Sequence, residues 1–161
     1  MLAHARALLT GTPEGATDYL DADLREPDKI VRDAAKTLDF TQPVAVMLLG
    51  VLHHISDDEE ASAIVDRLLD AVSPGSYMVI AHSTNEISGA VMDEAVRHWN
   101  EFGKPPMTLR TPQQIAGFFD RLELLEPGVV PTTRWRPDPS DLTNQDVDEF
   151  CGVGRRPRPP R

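Results

Sequence analysis

This sequence predicts an α/β fold built on a mostly parallel sheet. The stretch Val44–Leu49 is apolar at every position, and Tyr77–His82 is a second, mostly apolar run. Segments with helical spacing lie between and after these runs. A strand that is apolar throughout must be covered on both faces, which is typical of a parallel sheet between two layers of helices. The last two predicted strands have no helix between them, so we expect them to pair antiparallel at one edge.

The amino-terminal part predicts a helix, a strand and a second helix. Apolar residues at helical spacing indicate a helix within residues 1–10, and Gly11 ends it. Loose alternation over Ala16–Asp23 indicates a short strand. Pro27 suits the first turn of a helix that we expect to run to about Leu38.

The central part predicts two buried strands separated by one helix. Gly50 follows the first strand, and Ser56 or Asp57 can cap the helix, whose first turn is acidic and suits its positive end. The apolar face of this helix is Ala61, Ile64, Val65, Leu68, Leu69 and Val72. The turn SPGS at 73–76 leads into the second strand, Tyr77–His82.

The carboxyl-terminal part predicts two helices and then the final strands. Asn85–Phe102 has helical spacing and ends at Gly103. Thr111, with Pro112 at the first helical position and Gln114 three residues on, forms a capping box for a helix that ends near residue 119. Strands are expected at 122–125, at 129–133 after a break at 127–128, and at 147–154.

Length and charge limit the function classes. A chain of 161 residues fits one domain. The net charge is −10, but the last eleven residues hold four arginines and no acid, so the other 150 carry 12 basic and 26 acidic groups, a net of −14. Because such a surface repels phosphates and anionic lipids, we expect neither nucleic acid nor a membrane as partner.

Cysteine content and hydropathy predict a cytoplasmic protein. Cys151 is the only cysteine, so no intrachain disulfide can form and a reducing compartment fits. No run approaches the ~18 apolar residues of a membrane span. The first residues also lack the long uncharged core of a secretory signal.

Several motifs occur in an order that resembles one enzyme class. YLDADLREP at 19–27, GVLHHISDDEE at 50–60 and LLDAVSPGSYMVIAH at 68–82 precede a strand, a loop and a final strand ending in CGVGRRP. Together they resemble the C-terminal two-thirds of class I S-adenosylmethionine-dependent methyltransferases. The stretch 109–138 also resembles a bacterial S-adenosyl methyltransferase family of unknown substrate. This pattern covers most of residues 1–155, a partial methyltransferase domain, and 156–161 form a basic, proline-rich tail.

The resemblance implies a Rossmann-like methyltransferase sheet, parallel with an antiparallel last strand, and S-adenosylmethionine as cofactor. It implies that the Asp23 carboxylate accepts from the adenine amine and that the Leu24 N–H bonds a ring nitrogen. Gly50, lacking a Cβ, would let the cofactor's amino group approach the carbonyls of Leu49 and Gly50. The structural alternatives are a turn acid at Asp23 and a simple strand end at Gly50.

His53 and His54 are adjacent, so they cannot face the same way, and their spacing is not that of a metal pair. One is expected to pack under the sheet end and the other to line the cleft rim, and His53 is placed with the cofactor-binding residues. A general-base role is the alternative. A sulfonium is an excellent leaving group, so positioning alone can suffice for methyl transfer.

The resemblance also implies missing parts. The sequence contains neither the family's Gly-rich loop nor the acid that holds the ribose, so the sheet should lack its first two strands. We expect a fragment, a late-start reading frame, or a site that another chain completes. The family reaction, methyl transfer to an unknown acceptor, should then be impaired. The alternative is a non-catalytic binding or assembly module in which a homodimer or a partner chain covers the exposed edge of Val44–Leu49.

Overall fold

The computed structural model describes residues 14–138 and 145–158. Its helices are α1 (Pro27–Ala34), α2 (Asp58–Ala71), α3 (Ala90–Phe102) and α4 (Pro112–Gly117). Its strands are β1 (Ala45–Leu49), β2 (Tyr77–Ser83), β3 (Glu123–Leu124), β4 (Val130–Pro131) and β5 (Glu149–Arg155). Short 3₁₀ turns span Leu52–His54 and Thr132–Arg134. The helix expected within residues 1–10 lies outside the described residues.

The five strands form one mixed sheet in the order β1-β2-β5-β3, with β4 also paired to β5. β1 and β2 run parallel, and Ala45 lies opposite Tyr77. β5 runs antiparallel to β2, β3 and β4. The predicted fold class, a parallel sheet with an antiparallel last strand, is confirmed. β1 is an edge strand of the sheet that the described residues form.

The strand predicted over Ala16–Asp23 is wrong, because these residues form no strand. A strand exists only where a neighbour completes its hydrogen-bond ladder, and no strand of this sheet pairs with the segment. Loose alternation of apolar residues was therefore insufficient evidence. The helix that follows, α1, begins at Pro27 as predicted but ends at Ala34, four residues earlier than expected.

The core lies on one face of the sheet. Leu48, Met78 and Ile80 point to this face and are at most 5% exposed. They belong to one cluster with the apolar face of α2 and with two aromatic residues that follow α4: Ala61, Ile64, Val65, Leu68, Leu69, Phe118 and Phe119. At Gly154 in β5 a Cβ would lie 2.8 Å from atoms of Phe119 and Leu122, so only glycine permits this packing.

The opposite face of the sheet is largely open at β1. Met47 and Leu49 are 57% and 51% exposed, and neighbouring Tyr77 on β2 is 38% exposed. The expectation that both faces of the Val44–Leu49 run are covered is therefore wrong for the described residues. A continuous apolar run indicates that covering is needed, but no described element supplies it on this side.

Local signals fixed several helix ends. Asp57 caps α2, since its carboxylate accepts from the Glu60 N–H at 2.8 Å. Thr111 forms the predicted capping box with Gln114 at the start of α4. α3 ends at Phe102, before Gly103, as predicted, but begins at Ala90, five residues later than expected. No helix in the described part of the chain has the length and apolarity needed to cross a bilayer.

Candidate functional site

The chain leaves β1 through a left-handed residue at the carboxyl end of the sheet. Gly50 has φ +63°, and its N–H donates to the Ala81 carbonyl at 3.1 Å. A side chain in this backbone conformation is strained, which favours glycine. A Cβ here would lie at van der Waals distance from His53 Cε1 (3.8 Å) and Glu149 Oε1 (3.9 Å), so the α carbon of Gly50 faces these two side chains without a clash.

Three polar side chains meet beside Gly50. Ser83, the last residue of β2, lies opposite Glu149, the first residue of β5, in the antiparallel ladder. The Ser83 hydroxyl donates to Glu149 Oε2 at 2.8 Å. The same oxygen lies 3.2 Å from Nδ1 of His53, in the turn after β1. Sheet pairing and one short turn thus bring a hydroxyl, a carboxylate and an imidazole together.

A second, deeper cluster surrounds Arg110, which is only 1% exposed. Its guanidinium donates to the Asp58 carboxylate at 2.8 Å, to His82 Nε2 at 2.9 Å, and to the carbonyls of Ile55 at 2.8 Å and Leu52 at 3.4 Å. The two carbonyls bracket the 3₁₀ turn that carries His53. Arg110 therefore clamps this turn against β2.

The two clusters share Ser83. His82 Nε2 accepts from Arg110, so its proton lies on Nδ1, which donates to the Ser83 carbonyl at 2.8 Å. The Arg110 N–H donates to the same carbonyl at 3.3 Å. The backbone of Ser83 is thereby fixed by the clamp while its hydroxyl joins His53 and Glu149.

Burial controls the protonation of these groups. Desolvation, with smaller contributions from His54 and Arg110, lowers the pKa of His53 to about 4. Desolvation also lowers the pKa of His82 to about 4. The same cause raises the pKa of the Glu149 carboxyl above its usual range. Both histidines are therefore neutral near pH 7, and a neutral imidazole has one nitrogen that can accept a hydrogen bond.

The loop before α4 closes over the end of β1. His54 Nδ1 donates to the Pro106 carbonyl at 2.9 Å, and the Thr108 N–H donates to the His53 carbonyl at 2.8 Å. His53 is buried and His54 is half-buried. The expected division, one histidine packed under the sheet end and one at the rim, agrees with this burial.

The structure places Asp23 and Leu24 in a turn near the same end of β1. The neighbouring Arg25 donates to the His54 carbonyl at 3.0 Å, which ties the turn to the exit of β1. The Asp23 carboxylate accepts from the Arg25 N–H at 2.9 Å, and this hydrogen bond lowers its pKa. Leu24 packs against the core cluster.

Leu49 precedes Gly50 at the open edge. Gly50 and Val44 hydrogen-bond with β2, and backbone groups alternate in direction along a strand. The C=O of Leu49 therefore points away from β2, toward the open edge. Of the five predicted site residues, Leu49, Gly50 and His53 cluster directly, and Asp23 and Leu24 are joined to them through Arg25.

Sequence reasoning missed Ser83, Glu149 and Arg110. Ser83 and Glu149 are separated by 66 residues, and only the register of β2 with β5 pairs them. An arginine before a capping box usually indicates an exposed helix start. The only available signal for Ser83 was its place directly after an apolar strand, where ligand sites of α/β sheets lie.

Comparisons with known proteins agree on one family. The family described as S-adenosyl methyltransferase matches residues 1–157. The crystal structure of a DUF574 family protein from Streptomyces avermitilis is similar at 35% identity and a TM-score of 0.89, over 97% of this chain and 61% of that chain. A candidate methyltransferase from Thermobifida fusca is similar at 34% identity and a TM-score of 0.82, over 98% and 59% of the two chains.

A more distant structure shows the fold alone. Human N-acetylserotonin methyltransferase, solved in complex with S-adenosylmethionine, has a TM-score of 0.57 at 13% identity, over 98% of this chain and 38% of that chain. No curated protein matches the chain in sequence. The chain spans about 60% of the length of the Streptomyces and Thermobifida proteins.

Proposed function

The chain belongs to the S-adenosyl methyltransferase family, and from this premise we propose that the end of β1 forms one wall of a site for methyl transfer from S-adenosylmethionine. The observation that carries the proposal is Gly50. It has positive φ, its α carbon faces the side chains of His53 and Glu149, and it lies at the carboxyl end of a parallel strand, where α/β sheets bind ligands.

The residues present fit part of the cofactor. When bound, S-adenosylmethionine supplies a methyl group on a sulfonium, so the protein's main task is to position donor and acceptor. The carbonyls of Leu49 and Gly50 would accept from its amino group, with His53 alongside. The Asp23 carboxylate, whose side chain is 55% exposed, would accept from the adenine amine, and the Leu24 N–H would bond a ring nitrogen.

We propose further that this wall is insufficient for catalysis. No described strand pairs with the outer edge of β1, toward which the Leu49 carbonyl points. The solved relatives are longer than this chain by a margin that could supply a second wall. The first two strands of the family sheet, its Gly-rich loop and its ribose-binding acid would have to come from elsewhere, and the acceptor is unknown.

The test is titration of the full chain with S-adenosylhomocysteine, followed by ¹H–¹⁵N NMR. One wall alone should bind with a Kd of ~1 mM, which corresponds to about −4 kcal/mol. The signals of residues 49–54 should shift. Gly50→Ala should weaken binding at least tenfold, because its methyl group would stand between the cofactor's amino group and the carbonyls of Leu49 and Gly50.

Gly89→Ala is the matched control. Gly89 also has positive φ, +53°, and a Cβ there meets nothing within 4 Å, so this variant also places a side chain on a positive-φ residue but away from the site. Shifts confined to other regions, or equal weakening by both variants, would overturn the site. A micromolar Kd would instead overturn the proposal that a second wall is essential.

A second candidate function is a non-catalytic assembly module, favoured by the open edge of β1. This strand is apolar along its length and presents exposed Met47 and Leu49, and no strand of the described residues pairs with its outer backbone groups. Exposed apolar edges of this kind pair with other chains. In this alternative two copies associate through their β1 strands, which twofold symmetry would make antiparallel.

Light scattering tests the assembly candidate. A dimer that dissociates in Met47→Lys, but not in Val91→Lys, would support it, because Val91 is 72% exposed on α3, outside the sheet. A monomeric mass at high concentration, or equal dissociation in both variants, would refute association through β1.

A further inference from the structure

Glu149, the first residue of β5, is a half-buried carboxylate that no basic side chain of the described residues neutralises. Its Oε2 accepts from the Ser83 hydroxyl at 2.8 Å. Within residues 14–138 and 145–158, no lysine or arginine forms an ion pair with Glu149, and no group donates to its other oxygen, Oε1. A carboxylate that loses water on folding is normally paired with a cation or with several donors. Glu149 has one neutral donor.

The preceding residue, Asp148, shows the usual arrangement. Asp148 is also half-buried, but its carboxylate accepts from the backbone N–H groups of Ile87 at 2.8 Å and Ser88 at 3.1 Å. At Glu149, burial raises the pKa of the carboxyl, and only the hydrogen bond from Ser83 opposes this. The stabilisation of the Glu149 charge within the described chain is therefore incomplete, and a bound cation would complete it.

The unpaired oxygen lies at the candidate site. Oε1 of Glu149 is 3.9 Å from the position that a Cβ on Gly50 would occupy, and Cε1 of His53 is 3.8 Å from the same position. Because residue 50 is glycine, it places no side chain beside this oxygen. Desolvation lowers the pKa of His53 to about 4, so its ring is neutral near pH 7 and supplies no counter-charge. A carboxylate oxygen, a neutral ring and a backbone without a side chain thus meet at one point.

Resting on the methyl-transfer function proposed above, we propose that Glu149 forms a subsite for an organic cation beside Gly50, occupied by a sulfonium or ammonium group of the cofactor or of the methyl acceptor. Ser83 is a positioning residue, because its hydroxyl holds Oε2 and leaves Oε1 to the ligand. The attraction is that of two opposite charges in a partly desolvated site, where solvent and salt screen them less than at an exposed surface.

The subsite predicts selection of ligands by charge. S-adenosylmethionine carries a sulfonium and an ammonium group, S-adenosylhomocysteine carries the ammonium alone, and 5′-methylthioadenosine carries neither. The three share the adenosine part, so a change at Glu149 that acts through charge should affect them unequally. A change that only disturbs the fold around Gly50 should weaken all three alike.

The experiment titrates the full chain with these three ligands above neutral pH, followed by ¹H–¹⁵N NMR. Glu149→Gln removes the charge but keeps the shape, and its amide oxygen can still accept from Ser83. This variant should weaken binding of the cationic ligand about tenfold and leave 5′-methylthioadenosine unchanged. The matched control is Glu123→Gln, which alters an exposed carboxylate on β3 that pairs with Arg155 and should change none of the three affinities.

The pattern of losses identifies the source of the cation. A loss for S-adenosylmethionine alone assigns the sulfonium, and an equal loss for S-adenosylmethionine and S-adenosylhomocysteine assigns the cofactor's ammonium. A cation of the methyl acceptor is tested with benzylammonium and benzyl alcohol, two probes of similar shape, added with S-adenosylhomocysteine. In that case the unaltered chain should prefer benzylammonium, and Glu149→Gln should lose this preference.

The cation subsite is overturned if Glu149→Gln changes no affinity for a cationic ligand, or weakens charged and uncharged ligands equally. Binding of S-adenosylhomocysteine to the unaltered chain separates the two proposals. Binding that Glu149→Gln does not alter, without a benzylammonium preference, refutes the subsite and keeps the methyl-transfer site. A benzylammonium preference that depends on Glu149, without binding of any of the three adenosine ligands, supports the subsite and refutes the methyl-transfer site. Absence of binding of every cationic ligand to the unaltered chain refutes both.

Discussion

Replacing Arg110 with methionine tests whether one buried guanidinium holds the site together. Arg110 is 1% exposed and donates to the Asp58 carboxylate, to His82 Nε2 and to the carbonyls of Leu52 and Ile55. Methionine keeps an unbranched chain of similar reach and provides no donor. The variant therefore removes the polar contacts with little change in packing.

The expected loss of unfolding free energy is about 3 kcal/mol. The Ile55 carbonyl and His82 Nε2 are buried, and a buried acceptor left without a donor costs about 1–3 kcal/mol. The Leu52 bond, at 3.4 Å, contributes less. The Asp58 side chain is 59% exposed, so water can replace its lost partner at little cost. Removal of the buried Arg110 charge also recovers part of the free energy spent on desolvating that charge.

Urea unfolding at pH 7.5, followed by circular dichroism, measures this loss. Arg121→Met is the matched control. Arg121 also pairs with two carboxylates, Asp66 at 2.9 Å and Asp70 at 2.6 Å, but its side chain is 47% exposed. Exposed pairs contribute little, so the control should lose less than about 1 kcal/mol. Equal losses in the two variants would refute the assignment of Arg110 as a structural clamp.

Three further predictions concern caps, packing and pH. Thr111→Ala should cost about 1 kcal/mol in urea unfolding because the capping box is lost, and Thr111→Ser should restore most of it. Gly154→Ala should lower the free energy of unfolding by about 1–3 kcal/mol, because the added methyl group overpacks the core. Gly117→Ala, where a Cβ meets nothing within 4 Å, should be neutral or stabilising. Thermal melts that rank the two variants in the opposite order would contradict the packing at Gly154. The pKa values of His53 and His82 are about 4 in the folded chain and near 6.5 in the unfolded chain. As the pH falls below 6.5 the unfolded chain takes up protons that the folded chain does not. The free energy of unfolding should therefore be highest above pH 6.5 and should fall by on the order of 2 kcal/mol for each histidine at pH 4.5. A urea midpoint that is unchanged between pH 7.5 and 4.5 would contradict this.

Elements defined by nearby residues were predictable from the sequence. The runs Val44–Leu49 and Tyr77–His82 predict strands, and the structure has them at Ala45–Leu49 and Tyr77–Ser83, because continuous apolar runs of this length require burial in a sheet. The caps at Asp57 and Thr111 form because a side chain bonds the backbone three residues away. Such interactions depend on a few neighbouring positions, so the sequence pattern contains all that they require.

Elements that depend on distant partners were not predictable in the same way. Ala16–Asp23 alternates like a strand but finds no neighbour in the sheet. Met47 and Leu49 are apolar and yet exposed. An apolar run indicates that both faces of a strand need covering, but it does not indicate whether a covering element is present. Strand pairing and face coverage are properties of the assembled sheet.

The residues of the candidate site also differ in whether the sequence could predict them. Gly50 was recognisable because it directly follows an apolar strand. Its neighbours Ser83 and Glu149 were not, because the β2–β5 register alone brings them together. Arg110 was missed for a related reason: its four partners lie 28 to 58 residues away in the sequence.

The clamp around Arg110 bears on how a cofactor site could be completed. All its partners belong to the described elements, so the turn with His53 and the backbone of Ser83 are ordered without contacts across the open edge of β1. A segment or second chain that pairs with this edge would therefore meet a wall already in its final geometry. Preorganisation of this kind reduces the entropy lost on association. Completion of the site then requires docking along β1 rather than refolding of the residues around Gly50.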